Sequence, residues 1–387
     1  MVKVLLVFGT RPEAIKLAPV VLKMRETCDF FPVVAVTAQH RELLDQVLEV
    51  FKIKPDYDLD IMEIKQTLSD ITIRALRGLT QVIEREKPDM VIVHGDTTTT
   101  FSGALASFYN KIPVAHIEAG LRSNYKREPF PEEVNRTLTS VVTDLHLAPT
   151  MLARQNLLRE GVSDNNIMVT GNTVIDALIE ALKLVENQDC QYGKLSFFPE
   201  SDYLLMEVHR RENWGAPMRE IFLGVRDFLI SNPGLSMIFP VHPNPLIQKL
   251  SLEIFGELPG VHLISPLGYL DFVRVMRDAR LIVTDSGGIQ EESTYLKKQV
   301  VLVRTVTERP EGVESGFINM SGIERNIITK SIEKAIKMSY DNKVFTNNNP
   351  FGDGNASSRI VAGIKWFLGI SSEKPQNYMS EGGPTGD

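Results

Sequence analysis

The chain has 387 residues, 43% of them hydrophobic and 24% charged, with a formal net charge of −7. That length exceeds one core of ordinary size and predicts two domains of a soluble globular protein. The acidic balance excludes a broad nucleic-acid surface, and nothing approaches the ~20 apolar residues of a membrane span. Cys28 and Cys190 form no metal-ligand pattern and suit a reducing cytosol. Met1 runs straight into a strand-like segment with no cleavable signal, so a cytoplasmic protein is expected.

Strand-like and helix-like segments alternate throughout, the pattern of a parallel sheet covered on both faces. Val2–Phe8 is a buried-strand run, and Gly9-Thr10-Arg11 turns into a helix with Pro12 near its start. Ile15, Ala18 and Leu22 share a helical face, although Pro19 should bend that helix. Phe31–Thr37 is the next strand. Ile71, Ala75, Leu79, Val82 and Ile83 form an amphipathic helix that stops before Pro88. Asp89–His94, Pro113–Ile117, Asp144–Ala148 and Asn166–Thr170 follow as short strands. The pattern restarts with strands at Asp202–Val208, Leu235–Val241, Val261–Ile264, Arg280–Thr284 and Val300–Arg304.

Low-periodicity residues around Val185–Glu200 read as the connection between halves. The domains expected are therefore 1–185 and 186–355, with a polar tail at 371–387 expected to be disordered. Two similar doubly wound domains facing a cleft is the economical reading, with ligand at the carboxyl ends of strands.

Thr284–Glu292 (TDSGGIQEE) marks a strand–turn–helix join. Gly287 and Gly288 let backbone amides approach a ligand, and the helix N-terminus behind them favours a phosphate. Glu292 or Glu291 is then placed to accept from ribose hydroxyls. An ordinary tight connection capped by Ser286 fits the same letters equally well. Competing motifs are missing: the first turn, FGTRPEAIK, lacks G-x-G-x-x-G, no G-x-x-x-x-G-K-[ST] or G-x-S-x-G occurs, and no His/Cys cluster has zinc spacing.

Other polar residues stand just after strands: Arg11 and Lys16, Asp96, Glu118, then Glu132, Glu133 and Arg136, and later His209, Arg210 and Arg211. Each alone suits a cap or a solvated face. Strand ends of a doubly wound sheet converge on one crevice, however, so the set points to proton transfer on a nucleotide-linked substrate. Crowded carboxylates raise one another's pKa, which separates an acid from a base.

FGTRPEAIKLAPV, HGDTTTT, HIEAGLRS, PFPEEVNR, HRREN, TDSGGIQEE and TERPEGVESG occur in order, followed by NPFGDGNASSRI. This series resembles the non-hydrolysing UDP-N-acetylglucosamine 2-epimerases over nearly the whole chain, to about Ile370. The resemblance implies a GT-B fold of two Rossmann-like domains, with the helix at about 356–370 packing back on the first. It implies interconversion of UDP-N-acetylglucosamine and UDP-N-acetylmannosamine through 2-acetamidoglucal and UDP, with no NAD, no metal and no other cofactor. It also implies a homodimer.

By that resemblance Asp96, Glu118 and Glu132 match the acid/base carboxylates and His209 the histidine beside the leaving UDP. Arg11 matches an arginine near the phosphates, and Lys16 and Arg136 match residues tied to activity. Ser286, Gly287 and Gly288 match the diphosphate turn, Glu292 the ribose ligand, and Phe272 and Arg309 residues around uracil and sugar nucleotide. Which carboxylate takes the C2 proton stays open.

Some positions depart from the pattern. Leu267 replaces a Gln, and Glu207-Val208 replaces a Thr-Gly-like pair before His209. Gln39, His40 and Arg41 match part of an activator site, which His242 would complete, yet Glu42 and Lys65 differ there. A UDP-sugar glycosyltransferase, a 2-epimerase of a modified UDP-sugar and an inactive sugar-nucleotide-binding regulator are the alternatives.

Overall fold

The apolar runs form strands buried on both faces, which is why they read as continuous rather than alternating. The computed structural model describes residues 1–38, 41–63, 66–186, 202–340 and 349–379. Strands β1 (Val2–Phe8), β2 (Phe30–Val36), β3 (Tyr57–Asp58), β4 (Met90–His94), β5 (Val114–Ile117), β6 (Leu145–Ala148) and β7 (Ile167–Val169) make one sheet. Its order is β3-β2-β1-β4-β5-β6-β7, and every pairing is parallel. A second parallel sheet, ordered β10-β9-β8-β11-β12-β13, takes β8 (Tyr203–Glu207), β9 (Ser236–Pro240), β10 (Val261–Ile264), β11 (Leu281–Thr284), β12 (Gln299–Leu302) and β13 (Ile318–Met320).

The chain divides into two units, Met1–Ile179 with Phe351–Asp387, and Glu180–Pro350. Each is a Rossmann-like doubly wound domain, the pair that characterises a GT-B fold. Leu5, Val7, Val91 and Val93 meet Leu79, Val82 and Ile83 of helix Leu68–Glu86 in the first core. Phe222, Phe228, Phe239 and Phe255 fill the second, with Phe222 edge-on to Phe239 at 5.4 Å. Among the described residues, no helix is long and apolar enough to cross a membrane.

The first helix, Arg11–Arg25, runs unbroken through the buried Pro19. Strands β3 and β13 are too short to leave a periodic signal, and the sequence reading omits both. Helix Thr173–Glu186 extends through the start of the expected connection; the remainder of that stretch lies outside the described residues.

Asp176, on that helix, accepts the backbone amides of Ala356 at 3.2 Å and Ser357 at 2.8 Å. It thereby ties the amino end of helix Ala356–Phe367 into the first unit. The disordered tail expected from Ser371 is corrected for residues 371–379. Tyr378 is buried and donates its amide to the Val169 carbonyl at 2.7 Å, while the Asn377 side chain accepts the Val169 amide at 2.8 Å. The segment covers the open edge of β7, which would otherwise leave strand hydrogen bonds unmet.

His94, His116 and His146 end up buried on three neighbouring strands, with His116 and His146 in register. Desolvation opposes their charge and lowers them to about 4, about 4 and about 3. An unfolded chain takes up these protons near the ordinary value of 6.5, whereas the folded chain resists until far lower pH. Stability should therefore fall as pH drops from about 6.5 towards 4, and His146→Gln should flatten that slope. Thermal melts across this range check it; parallel profiles for variant and parent would refute the assignment.

Candidate active site and anion cradle

Order in the first sheet reverses between β1 and β4, so the loops leaving their carboxyl ends diverge and expose a crevice. Glu13 ties these two loops together. One carboxylate oxygen accepts the amides of Gly9 at 3.0 Å and Thr10 at 2.8 Å; the other accepts the hydroxyls of Thr97 at 2.6 Å and Thr100 at 3.0 Å. A side chain at Gly9 would stand 2.0 Å from the Thr37 hydroxyl, so only glycine permits this approach. Burial raises the Glu13 pKa, and the hydroxyl and amide donors work against that rise. The sequence reading missed Glu13, although Thr-x-x-Glu at a helix start is a recognisable capping signal.

The anchored loops carry the candidate groups. Arg11 opens the first helix, and Lys16, one turn on, is buried and ion-paired with Glu118. Asn172 donates to the same Glu118 carboxylate at 2.7 Å. Glu118 follows β5 with φ 64°, in the left-handed region that is costly for a residue with a side chain. Asp96, half-buried after β4, pairs with the guanidinium of Arg136. Arg136 also meets Glu133 at 3.1 Å, while Glu133 accepts the amides of Ser123 and Asn124, each at 3.0 Å.

Lys16 with Glu118 and Asp96 with Arg136 are thus assembled as cation–carboxylate pairs. Glu132 is half-buried at the first position of helix Glu132–Val141, directly before Glu133. Glu133, from the same segment, bonds the Arg136 guanidinium and holds the 123–124 turn. Both pairs sit beside a crevice where an anionic carboxylate can exchange a proton with a substrate carbon.

In the second sheet the order reverses between β8 and β11, and the other candidates gather there. Helix Gly287–Tyr295 begins right after β11 with Ser286 at its N-cap, and the Ser286 side chain makes no capping bond. The open amino end therefore keeps its unpaired amides, as an anion site requires. A Cβ on Gly287 would lie 2.6 Å from the Arg309 guanidinium, while one on Gly288 would meet nothing within 4 Å. Gly287 lets a cation lie against the turn, and Gly288 keeps its outer side open.

Arg309 is buried and held by Glu291 at 2.6 Å, so Glu291 is occupied as its counter-ion. Glu292 accepts from the Tyr269 hydroxyl at 3.4 Å, and Phe272 is half-buried on the helix Tyr269–Asp278.

His209 follows β8. Asp285, fully buried, accepts the amides of His209 at 3.1 Å and Arg210 at 3.0 Å and the Asn213 side chain at 2.8 Å. His209 Nδ1 meets Glu207 Oε1 at 2.5 Å. Burial opposes the imidazolium, but the charges of Glu207 and then Asp285 prevail and raise it to about 9. Burial works against the Glu207 anion as well, yet its contact with His209 leaves it below the ordinary range.

The His242 ring stacks on His209 at 6.0 Å, and its Nδ1 accepts the Asn244 amide at 3.1 Å, a local turn-capping role. Gln39, His40 and Lys65 lie outside the described residues, as do the side chains of Arg41 and Glu42. Glu207, His209 and Asp285 are close enough together to hold a cation. Their facing atoms are already engaged with one another, with Thr284 and with backbone amides, which marks a hydrogen-bonded network around His209.

Residues 22–365 match a family model described as UDP-N-acetylglucosamine 2-epimerase. The UDP-N-acetylglucosamine 2-epimerase of Bacillus subtilis is 45% identical, covering 98% of this chain and 99% of its own. The S. aureus MnaA–UDP co-structure superposes with a TM-score of 0.91 at 45% identity, over 98% of this chain and 100% of that one. The Neisseria meningitidis UDP-GlcNAc 2-epimerase bound to UDP-GlcNAc gives 0.89 at 46% identity, over 94% and 99%. A glycosyltransferase of kitacinnamycin, at 9% identity and a TM-score of 0.57, shares the fold alone.

Removing Arg309 would leave the buried Glu291 carboxylate without its ion-pair partner. Arg309→Ala should cost about 3–5 kcal/mol of stability in denaturant unfolding. The double variant Arg309→Met/Glu291→Gln should recover most of it. Equal losses in the single and double variants would show that the ion pair is not what the turn relies on.

Proposed function

We propose that this chain, which belongs to the UDP-N-acetylglucosamine 2-epimerase family, interconverts UDP-N-acetylglucosamine and UDP-N-acetylmannosamine by inverting C2. The carrying observation is the pairing of two chemistries in one protein. One unit offers carboxylates held by Lys16 and Arg136; the other offers an open helix terminus beside a cationic His209.

In this reading Ser286, Gly287 and Gly288 bind the diphosphate, Glu292 the ribose, and Phe272 and Arg309 the neighbourhood of the nucleotide. Arg11 serves the phosphates. A carboxylate among Asp96, Glu118 and Glu132 removes the C2 proton, and the C2–H electron pair becomes the C1–C2 double bond. The C1–O pair leaves with UDP, and His209 donates to the departing oxygen. UDP then adds back to the 2-acetamidoglucal while a proton reaches C2 from the opposite face. Oxidation state is unchanged overall, so the chemistry calls for no hydride carrier. Unactivated C–H cleavage needs a positioned base, and a leaving diphosphate needs cations and amides.

A homodimer belongs to the same proposal. Helix Glu132–Val141 exposes Val134, Leu138 and Val141 on one face, and Phe108 and Tyr109 are exposed on the adjoining helix Thr98–Tyr109. A second copy covering this apolar face accounts for it. A cytoplasmic location suits the nucleotide-sugar substrate and the exposed free thiol of Cys28.

Incubation with UDP-N-acetylglucosamine in deuterium oxide, followed by NMR at C2, should give both UDP-sugars carrying deuterium. Sugar transfer or hydrolysis without C2 exchange would reject the proposal. Asp96→Asn and Glu118→Gln should each lower exchange by about 10²–10⁴-fold while leaving UDP affinity intact; lost UDP affinity would make the residue structural. Leu138→Glu should shift the protein to monomer in sedimentation, and an unchanged mass would refute the dimer face.

A further inference from the structure

We propose that Glu207 is a positioning residue that commits Nδ1 of His209 and so makes its Nε2 a cationic donor for the departing diphosphate. The inference rests on the reading of His209 given above. Glu207 closes β8, one residue before Val208, so its carboxylate and the His209 ring leave the strand end on the same side. Oε1 meets Nδ1 at 2.5 Å, and Oε2 accepts the Thr284 hydroxyl at 3.2 Å. The carboxylate therefore bridges β8 and β11, where the diphosphate turn begins.

The charged groups around the ring have separate parts. Asp285 lies 3.9 Å from Nδ1 but directs its oxygens to the amides of His209 and Arg210 and to Asn213. It fixes the backbone and leaves ring orientation to Glu207. Arg210 disfavours the imidazolium, and the His242 ring, stacked on the other side, is held below its ordinary value by its own burial, by the His209 charge and by Arg211. Glu207 is thus the contact that decides the protonation of His209. With Nδ1 engaged, only Nε2 can reach a ligand oxygen, and it does so carrying a proton through the neutral range. A neutral residue at 207 would leave the ring to rotate and, with burial then unopposed by Glu207, to lose that proton at or below its ordinary value of 6.5.

Three measurements on the full chain test this. NMR titration of His209 should show a value near 9 in the parent, and a fall to 6.5 or below in Glu207→Gln and Glu207→Thr. The epimerisation rate of both variants should draw level with the parent only below their own lowered His209 value and trail it by roughly 30-fold or more at about pH 8. UDP affinity, measured alongside, reports whether each variant keeps its cradle. An unshifted His209 titration in variants that still bind UDP overturns the proposal. A shifted titration with an unshifted rate profile overturns the part that makes His209 the donor to UDP, while the C2 exchange experiment separately decides the epimerase reading.

Discussion

A parallel sheet can be extended only by connections that leave one carboxyl end and return over a face. Where the strand order turns back on itself, two such connections part company. This happens between β1 and β4 in one unit, where Arg11, Lys16 and Asp96 follow the strands, and between β8 and β11 in the other, where His209 and the Ser286–Gly288 turn do. Within each unit the backbone amides of two loops and the amino ends of the helices behind them are thereby left open at that point. Nothing in the local sequence could create that opening; it is a consequence of winding.

Loops that diverge must also be held. The structure does this with carboxylates buried beneath the reactive groups. Glu13 joins the β1 and β4 loops, Glu133 secures the 123–124 turn and Arg136, and Asp285 gathers the 209–213 segment. Each accepts several donors, which is what makes burial of an acidic group tolerable. The residues facing outward are different. Asp96 and His209 are only half-buried, and each is aimed by one strong partner. Within each unit, buried acids that accept several donors hold the loop that carries the more exposed group.

Much of this was legible from the letters. Buried strands announce themselves because both faces are covered, and the restart of the pattern after the middle of the chain marks a second doubly wound unit. The edge strands β3 and β13 did not, since two or three residues carry no period. Residues 371–379 looked like a polar tail, yet Tyr378 and Asn377 cover the edge of β7; a long-range docking contact of that kind has no local signature. In the site, Arg11, Lys16, Asp96, Glu118 and His209 were visible as polar residues after strands. The bonds that assign each its partner were not.

Sequence alone determined the alternation of strands and helices, the glycine turn with its helix behind it, and the ordered motifs that mark the family. Those are local or ordered features, and chain order preserves them. Tertiary structure alone decided which partner each acid has. Glu291 is taken by Arg309, Glu133 by Arg136 and backbone amides, and Glu207 by His209, although all three resemble their functional neighbours in the sequence. A carboxylate's role depends on the charge and donors within a few ångströms, and those are supplied by strands far apart in the chain.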